Sequence, residues 1–326
     1  MKKLLTVFLI AFVLFNACEK TDPRIEDAKE YIEQLRVESE SIGWTATVSV
    51  DNEIVFSEGF GLANYEQQVP VYPGKTKFRI GSISKALTAA GLGILMEEGK
   101  IDLDAPVQKY VPYFPEKKYE ISTRQVAGHQ AGIRHYRNQE FLSSKYYPTV
   151  KEGLEIFMND TLLFEPGTKY SYSSYGFNLL SAIMEGASGE EFLHFMQTRV
   201  FDPLDMTETT AERMDSLILF RAGYYDMNHG RVINAPYVDN SYKWAGGGFI
   251  STSEDLVKFG NAMLNNSLFS EEVKQQLITP QRLKNGEKTE YGMGFFSGTD
   301  EYGREYYGHG GGSVGGCSNL IIYPQE

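Results

Sequence analysis

The chain runs to 326 residues, 42% hydrophobic and 23% charged, enough to bury a sizeable core in one large enzyme fold or in two subdomains. Its formal net charge of −12 repels phosphate backbones, and no basic stripe offsets it, which excludes nucleic acid as an expected partner. Two cysteines, Cys18 and Cys317, and five histidines without ligand spacing give no HExxH and no thiolate zinc set, so no metal is expected.

Lys2 and Lys3 precede an apolar run from Leu4 to Phe15, interrupted only by Thr6, and then Asn16, Ala17 and Cys18. A basic start, an apolar stretch of about a dozen residues and a small residue before cysteine read as a signal peptide over 1–17. The stretch is short for a membrane span of ~20 residues. Cys18 then reads as a bacterial lipoprotein acylation site, with 18–24 as anchor and linker. That places the protein outside the cytoplasm, lipid-anchored to a bacterial membrane in the periplasm or at the cell surface. An ordinary signal peptide with an incidental cysteine is the alternative. With Cys18 acylated, Cys317 has no partner, and no disulfide is expected.

Ile25, Ala28, Ile32 and Leu35 recur at helical spacing, predicting an amphipathic helix over 25–41. Trp44 to Val50 and Glu53 to Gly59 alternate around Asp51-Asn52, as a hairpin does. From Ser82 to Gly99 the apolar residues cover much of a helix circumference, which predicts a buried helix ended by Gly99. The stretch from about 119 to 235 is mainly helical in pattern, with a helix from Ser173 to Ser188. Trp244 to Thr252 returns to strand character, and Ser253 to Leu264 reads as a helix capped by its own first serine. Tyr291 to Phe296, Tyr302 to Tyr307 and Gly315 to Tyr323 read as strands. Both ends are therefore sheet and the middle is helical. This is an α/β arrangement of the α+β kind: a mostly antiparallel sheet flanked by helices, with a helical insertion, in one hydrolase domain over 25–326. Glu326 follows directly on a strand, and such an architecture is expected to continue with a further strand and a closing helix.

Three motifs can carry chemistry. In Gly81-Ser82-Ile83-Ser84-Lys85, serine and lysine stand three apart at a helix start, so the amine can reach the hydroxyl on one face. The helix N-terminus offers free N–H groups to a developing oxyanion. A Lys85 neutralised by burial can take the Ser82 proton. Alone, S-x-x-K recurs by chance. The second motif is Tyr172-Ser173-Ser174 after a Pro-Gly turn: Tyr172 can shuttle a proton, and Ser174 can hydrogen-bond Lys85. The third is Gly308-His309-Gly310-Gly311-Gly312-Ser313, where glycines let a backbone lie against a substrate. Its overlapping HGGG and G-x-S-x-G do not make an α/β-hydrolase, because no histidine follows Ser313. Gly74-Lys75-Thr76 lacks the P-loop's first glycine, and Gly59-x-Gly61 lacks the dinucleotide fingerprint's third, so no cofactor is expected.

In this order, Ser82-x-x-Lys85, Tyr172-Ser173-Ser174 and His309-Gly310-Gly311 resemble the S-x-x-K, Y-x-N and K-T-G motifs of penicillin-recognising serine enzymes. With LTAAGLGILMEEGKIDLDAPVQKYVP and GGGFISTSEDLVKFGNAML, the chain resembles the class C β-lactamase-related family over about 30–326. GSISK, AGIRHY and YVDNSYKWAGGG bring it nearest the family's mitochondrial branch, regarded as proteases or hydrolases that form filaments. The resemblance implies a β-lactamase/transpeptidase-like fold, Ser82 as acylated nucleophile, Lys85 as its base and Tyr172 as second proton-transfer group. Ser174 then lines the site, His309 and Gly311 stand on the substrate-facing strand, and Gly312 joins Ser82 in the oxyanion hole.

Two departures shift the expected substrate. Ser174 stands where the family has asparagine, and His309 where it has lysine, so a substrate carboxylate is held more weakly. The expectation is an amide- or ester-cleaving serine hydrolase of peptidase or esterase type, acting on a small molecule or peptide with weak or no β-lactamase activity. The alternatives are a catalytically silent, self-associating scaffold and a D-Ala-D-Ala carboxypeptidase or β-lactamase.

Overall fold

The computed structural model describes residues 22–325; the signal-peptide and Cys18 readings lie outside the described residues. Helix α1 (Pro23–Glu38) begins where the Asp22 carboxylate accepts from the Arg24 N–H at 2.9 Å. Strands β1 (Gly43–Val50) and β2 (Glu53–Asn64) form the expected hairpin, and both turn residues, Asp51 and Asn52, take the positive φ of a type I′ turn. Short strands β3 (Val69–Pro70) and β4 (Phe78–Arg79) lead into helix α2 (Ile83–Glu97). The middle holds α3 (Thr123–Ala127), α4 (Val150–Leu154), α5 (Ser174–Ser188) and α6 (Phe192–Met196). It also holds β5 (Thr210–Ala211) and a hairpin of β6 (Tyr225–Asn228) and β7 (Arg231–Asn234). Then come α7 (Trp244–Gly247), β8 (Phe249–Ser251), α8 (Ser253–Leu264), α9 (Glu271–Ile278), β9 (Phe296–Thr299), β10 (Glu305–Ser313) and β11 (Gly316–Ile322).

All the strand pairs are antiparallel: β1–β2–β3, β9–β10–β11 with β10 central, β4–β8–β5, and β6–β7. Strands β1 and β11 are each paired on one side, and their other edges face a groove of about 770 Å³ bordered by α8.

Several expectations shift in detail. The stretch 119–235 carries strands as well as helices. Its β6–β7 hairpin turns on His229-Gly230, both at positive φ, a turn pair less telling than Asn-Gly. The Trp244–Thr252 stretch is a single helical turn before β8. The cap of α8 is Thr252, whose hydroxyl accepts from the Asp255 N–H, one residue before the serine expected there. Residues 291–295 form no strand: Gly294 takes φ +92, and the Gly292 N–H turns back to the Phe295 carbonyl at 2.8 Å. Tyr291, Met293 and Phe295 are nonetheless all buried, as their alternation with glycine and Phe296 suggested.

Helix α2 is the hub. Every residue from Ile83 to Leu95 is buried, Lys85 included, against α5, α6, α7, α9 and β10. Ile83, Leu87, Leu92 and Leu95 are fully enclosed, each contributing about 1.5–3 kcal/mol. This burial leaves the helix and its first turn little freedom to move.

A buried ion pair fastens the sheet just ahead of α2. Arg79 of β4 donates to Glu212 at 2.7 Å and to the Val314 carbonyl at 2.8 Å, and Asn240 donates to the same carboxylate at 2.5 Å. Both charges are almost wholly enclosed. Breaking such a pair strands the remaining charge, so Glu212→Ala should lower stability by about 3–5 kcal/mol in urea unfolding.

Candidate active site

The turn from β4 into α2 places the nucleophile. Gly81 takes φ +48, and a Cβ built on it would lie 2.7 Å from the Gly312 carbonyl oxygen of β10, so the two backbones are in contact. Ser82 follows at the helix cap position, but its hydroxyl caps nothing and its N–H bonds no backbone carbonyl among the described residues. The N–H is thus free for a substrate, and the hydroxyl is left uncommitted to the helix cap.

Lys85 is wholly enclosed. Its Nζ lies 3.0 Å from Ser82 Oγ, 3.0 Å from Ser174 Oγ and 2.5 Å from the Gly246 carbonyl. No carboxylate pairs with it among the described residues. Burial first, and the Lys243 charge second, push it well below the ordinary lysine value. An uncharged amine has two N–H groups and one lone pair. Here the carbonyl of Gly246 and the hydroxyl of Ser174 take the N–H groups, leaving the lone pair for the Ser82 O–H.

Helix α7 and helix α5 deliver those contacts. One turn of α7 crosses α2, with Thr88 donating to the Ala245 carbonyl at 3.1 Å beside the Lys85–Gly246 contact. Helix α5 begins at Ser174, capped by Ser173 Oγ, which accepts from the Gly176 N–H at 3.1 Å. Two histidines take the neighbouring N–H groups: Ser173 donates to His129 Nδ1 at 3.2 Å, and Ser174 to His135 Nδ1 at 3.1 Å. Both are therefore neutral rings acting as acceptors.

Tyr172 lies over the amine, with Lys85 Nζ 4.9 Å from its ring centroid, and borders the cleft with Ser82. Burial raises its phenol above the ordinary tyrosine value, more than the Ser82 contact lowers it. It stays protonated, so it can donate and relay, while the base role falls to Lys85.

A cleft of about 360 Å³ opens on Ser82, with Tyr172, Ser174, Gly312 and Ser313 around it. A Cβ on Gly312 would meet nothing within 4 Å, so this position faces the cleft. The other two residues expected on the substrate face do not line it. Gly311 is packed against Ile80, whose carbonyl a Cβ would approach to 2.1 Å. His309 is enclosed, with Nδ1 2.6 Å from the Gly310 carbonyl and Nε2 3.0 Å from the Tyr291 hydroxyl. Burial holds it down at about 3. It is a neutral internal bracket with both ring nitrogens occupied, and holds no substrate carboxylate.

With nucleophile, enclosed amine, phenol and glycine strand assembled, comparison with known proteins fixes the lineage. The family profile described as Beta-lactamase matches residues 28–326. The chain belongs to the beta-lactamase family. It is 35% identical to human "Serine beta-lactamase-like protein LACTB, mitochondrial" over 93% of this chain and 72% of that protein. The fold superposes on the octameric penicillin-binding protein homologue from Pyrococcus abyssi with TM-score 0.78 at 24% identity, covering 92% of this chain and 71% of that one. A D-stereospecific amidohydrolase from Streptomyces sp. matches with TM-score 0.77 at 24% identity, covering 91% and 90%. This member of the beta-lactamase family is accordingly a serine hydrolase.

Four residues of the enzyme's site escape a reading of the three motifs. His129, His135 and Gly246 support Ser174 and Lys85, while Lys243 lines the cleft. The AGIRHY and YKWAGGG stretches hold three of them, but only the folded chain brings these segments to α2.

Three outcomes follow for this beta-lactamase-family enzyme. A Cβ on Gly81 collides with Gly312 and needs a positive φ, so Gly81→Ala should cost about 1–3 kcal/mol and most activity. Gly312→Ala should keep its melting temperature and lose activity only towards bulky substrates. His129 and His309 are held far below the unfolded histidine value of ~6.5, as is His135, at about 4. The folded state then binds fewer protons than the unfolded chain once pH drops below that value. Stability is full above pH ~6.5 and falls as pH drops towards 3, by up to about 1.4 kcal/mol per pH unit for each enclosed ring. His135 is open to solvent and contributes less. Urea unfolding between pH 7 and 4 reads the slope, which His309→Gln should reduce.

Proposed function

We propose that this enzyme cleaves an amide or ester through an acyl-enzyme on Ser82. The Lys85 amine, enclosed without a counter-ion and touching the nucleophile, carries this reading. Ser82 Oγ attacks the carbonyl carbon as its proton passes to Lys85 Nζ. The oxyanion is received by the N–H groups of Ser82 and Gly312. The bond to the leaving group then breaks, and Tyr172 passes the proton from Lys85 to that group. Water enters by the same route in reverse, releasing the acid and restoring Ser82.

The reading favours peptidase- or esterase-like chemistry over β-lactam hydrolysis. The internal bonding of His309 leaves no cation on β10 for a carboxylate, and Ser174 supplies no amide. The Streptomyces amidohydrolase of the same fold is consistent with amide cleavage on this scaffold. A catalytically silent scaffold would have no use for an amine kept neutral at a cost in burial.

A fluorophosphonate should add one mass to the wild type and none to Ser82→Ala. Lys85→Met should still fold, since it exchanges an enclosed amine for an apolar chain, and should lose about 10²–10⁴ in kcat/KM. Equal labelling of wild type and Ser82→Ala would overturn the proposal.

A further inference from the structure

Lys243 borders the cleft outside the three motifs and has no part in the steps above. It ends the 241–243 turn just before α7, and its residue surface is only 3% exposed. Its amine makes no hydrogen bond and no ion pair among the described residues. What surrounds it is aromatic: its Nζ is 4.2 Å from the Phe141 ring centroid, 5.1 Å from Tyr242 and 5.4 Å from Tyr136. Ring faces attract a cation but do not replace its lost hydrogen bonds. The residue borders the same cleft as Ser82, Ser174 and Gly312. Burial and the Arg79 guanidinium hold the amine down at about 7, against the pull of Glu212. Glu212 does not satisfy it: its Oε2 accepts from Arg79 and Asn240, and no hydrogen bond or ion pair joins the carboxylate to Lys243.

We propose that Lys243 is the specificity residue of this hydrolase, binding a carboxylate or comparable anion on the substrate. A cation without a partner, enclosed by rings and opening on the cleft, is a half-made ion pair. An arriving carboxylate supplies the missing acceptor and keeps the amine protonated, in a site where water competes little. The strand opposite offers no competing cation, since His309 is neutral and bonded internally. The substrate class is therefore an anionic amide or ester, with the carboxylate set apart from the scissile carbonyl. This inference rests on the acyl-enzyme reading of Ser82.

The test compares kcat/KM for matched pairs of substrates. One pair carries the charge in the acyl group: the 4-nitrophenyl monoester of glutaric acid against 4-nitrophenyl valerate. The other carries it in the leaving group: an acyl-thioglycolic acid against its amide. The readout is the anionic-to-neutral ratio, so any effect of Lys243 on Lys85, common to both members, divides out. Wild type should favour the anionic member of at least one pair. Lys243→Met should lower that ratio by about 10–100-fold, mainly through KM, and Lys243→Arg should retain part of it. A ratio near one in wild type for both pairs overturns the proposal, as does a ratio unchanged in Lys243→Met. Fluorophosphonate labelling of Ser82 in each protein separates the two failures. Labelled protein without anion preference sinks the role of Lys243 alone, and unlabelled wild type sinks the acyl-enzyme reading beneath it.

Discussion

An amine enclosed without a counter-ion is the constraint on which the rest of this molecule depends. Charged, Lys85 would cost several kcal/mol to bury. Uncharged, it needs only its two N–H groups and one lone pair matched. The fold supplies a carbonyl, a hydroxyl and the nucleophile for that purpose. Each comes from a different segment, so the catalytic protonation state is a property of the assembled tertiary structure.

The neighbouring elements serve that arrangement by staying uncharged themselves. His129 and His135 accept from the first N–H groups of α5 and thereby fix Ser174. His309 is bonded through both ring nitrogens. Protonating any of the three would place a second cation near Lys85. Burial holds each of these groups neutral, and acid works against every one of them. The hydrophobic enclosure of α2 is what makes the charged forms expensive.

Much of this was legible before the fold was known. The apolar circumference from Ile83 to Leu95 announced a buried helix, and a lysine in its first turn had no other evident use. The order of the Ser82, Tyr172 and His309 segments pointed to the family. What could not be read was orientation. His309 and Gly311 sit on the expected strand, yet alternation along β10 turns both inward and leaves Gly312 facing the cleft. A one-residue difference in facing decides that matter, and period-two patterning is silent in a run of glycines. The role of Lys243 was hidden for another reason: beside its neighbour Tyr242, its rings come from Tyr136 and Phe141, about a hundred residues away and brought to it only by the fold.

The walls of the cleft are of two unlike kinds, and the contact between Gly81 and Gly312 underlies the first. One half is main chain: N–H groups and a helix start, held by backbone packing against backbone. The other is side chain: His135, Tyr136, Phe141 and Lys243, carried on loops and a short turn. Substitution at Gly81 can hardly alter the first half without straining the fold, whereas the second can change one residue at a time. A scaffold built this way keeps one reaction while its clientele diverges, and relatives sharing the nucleophile can differ in everything they accept.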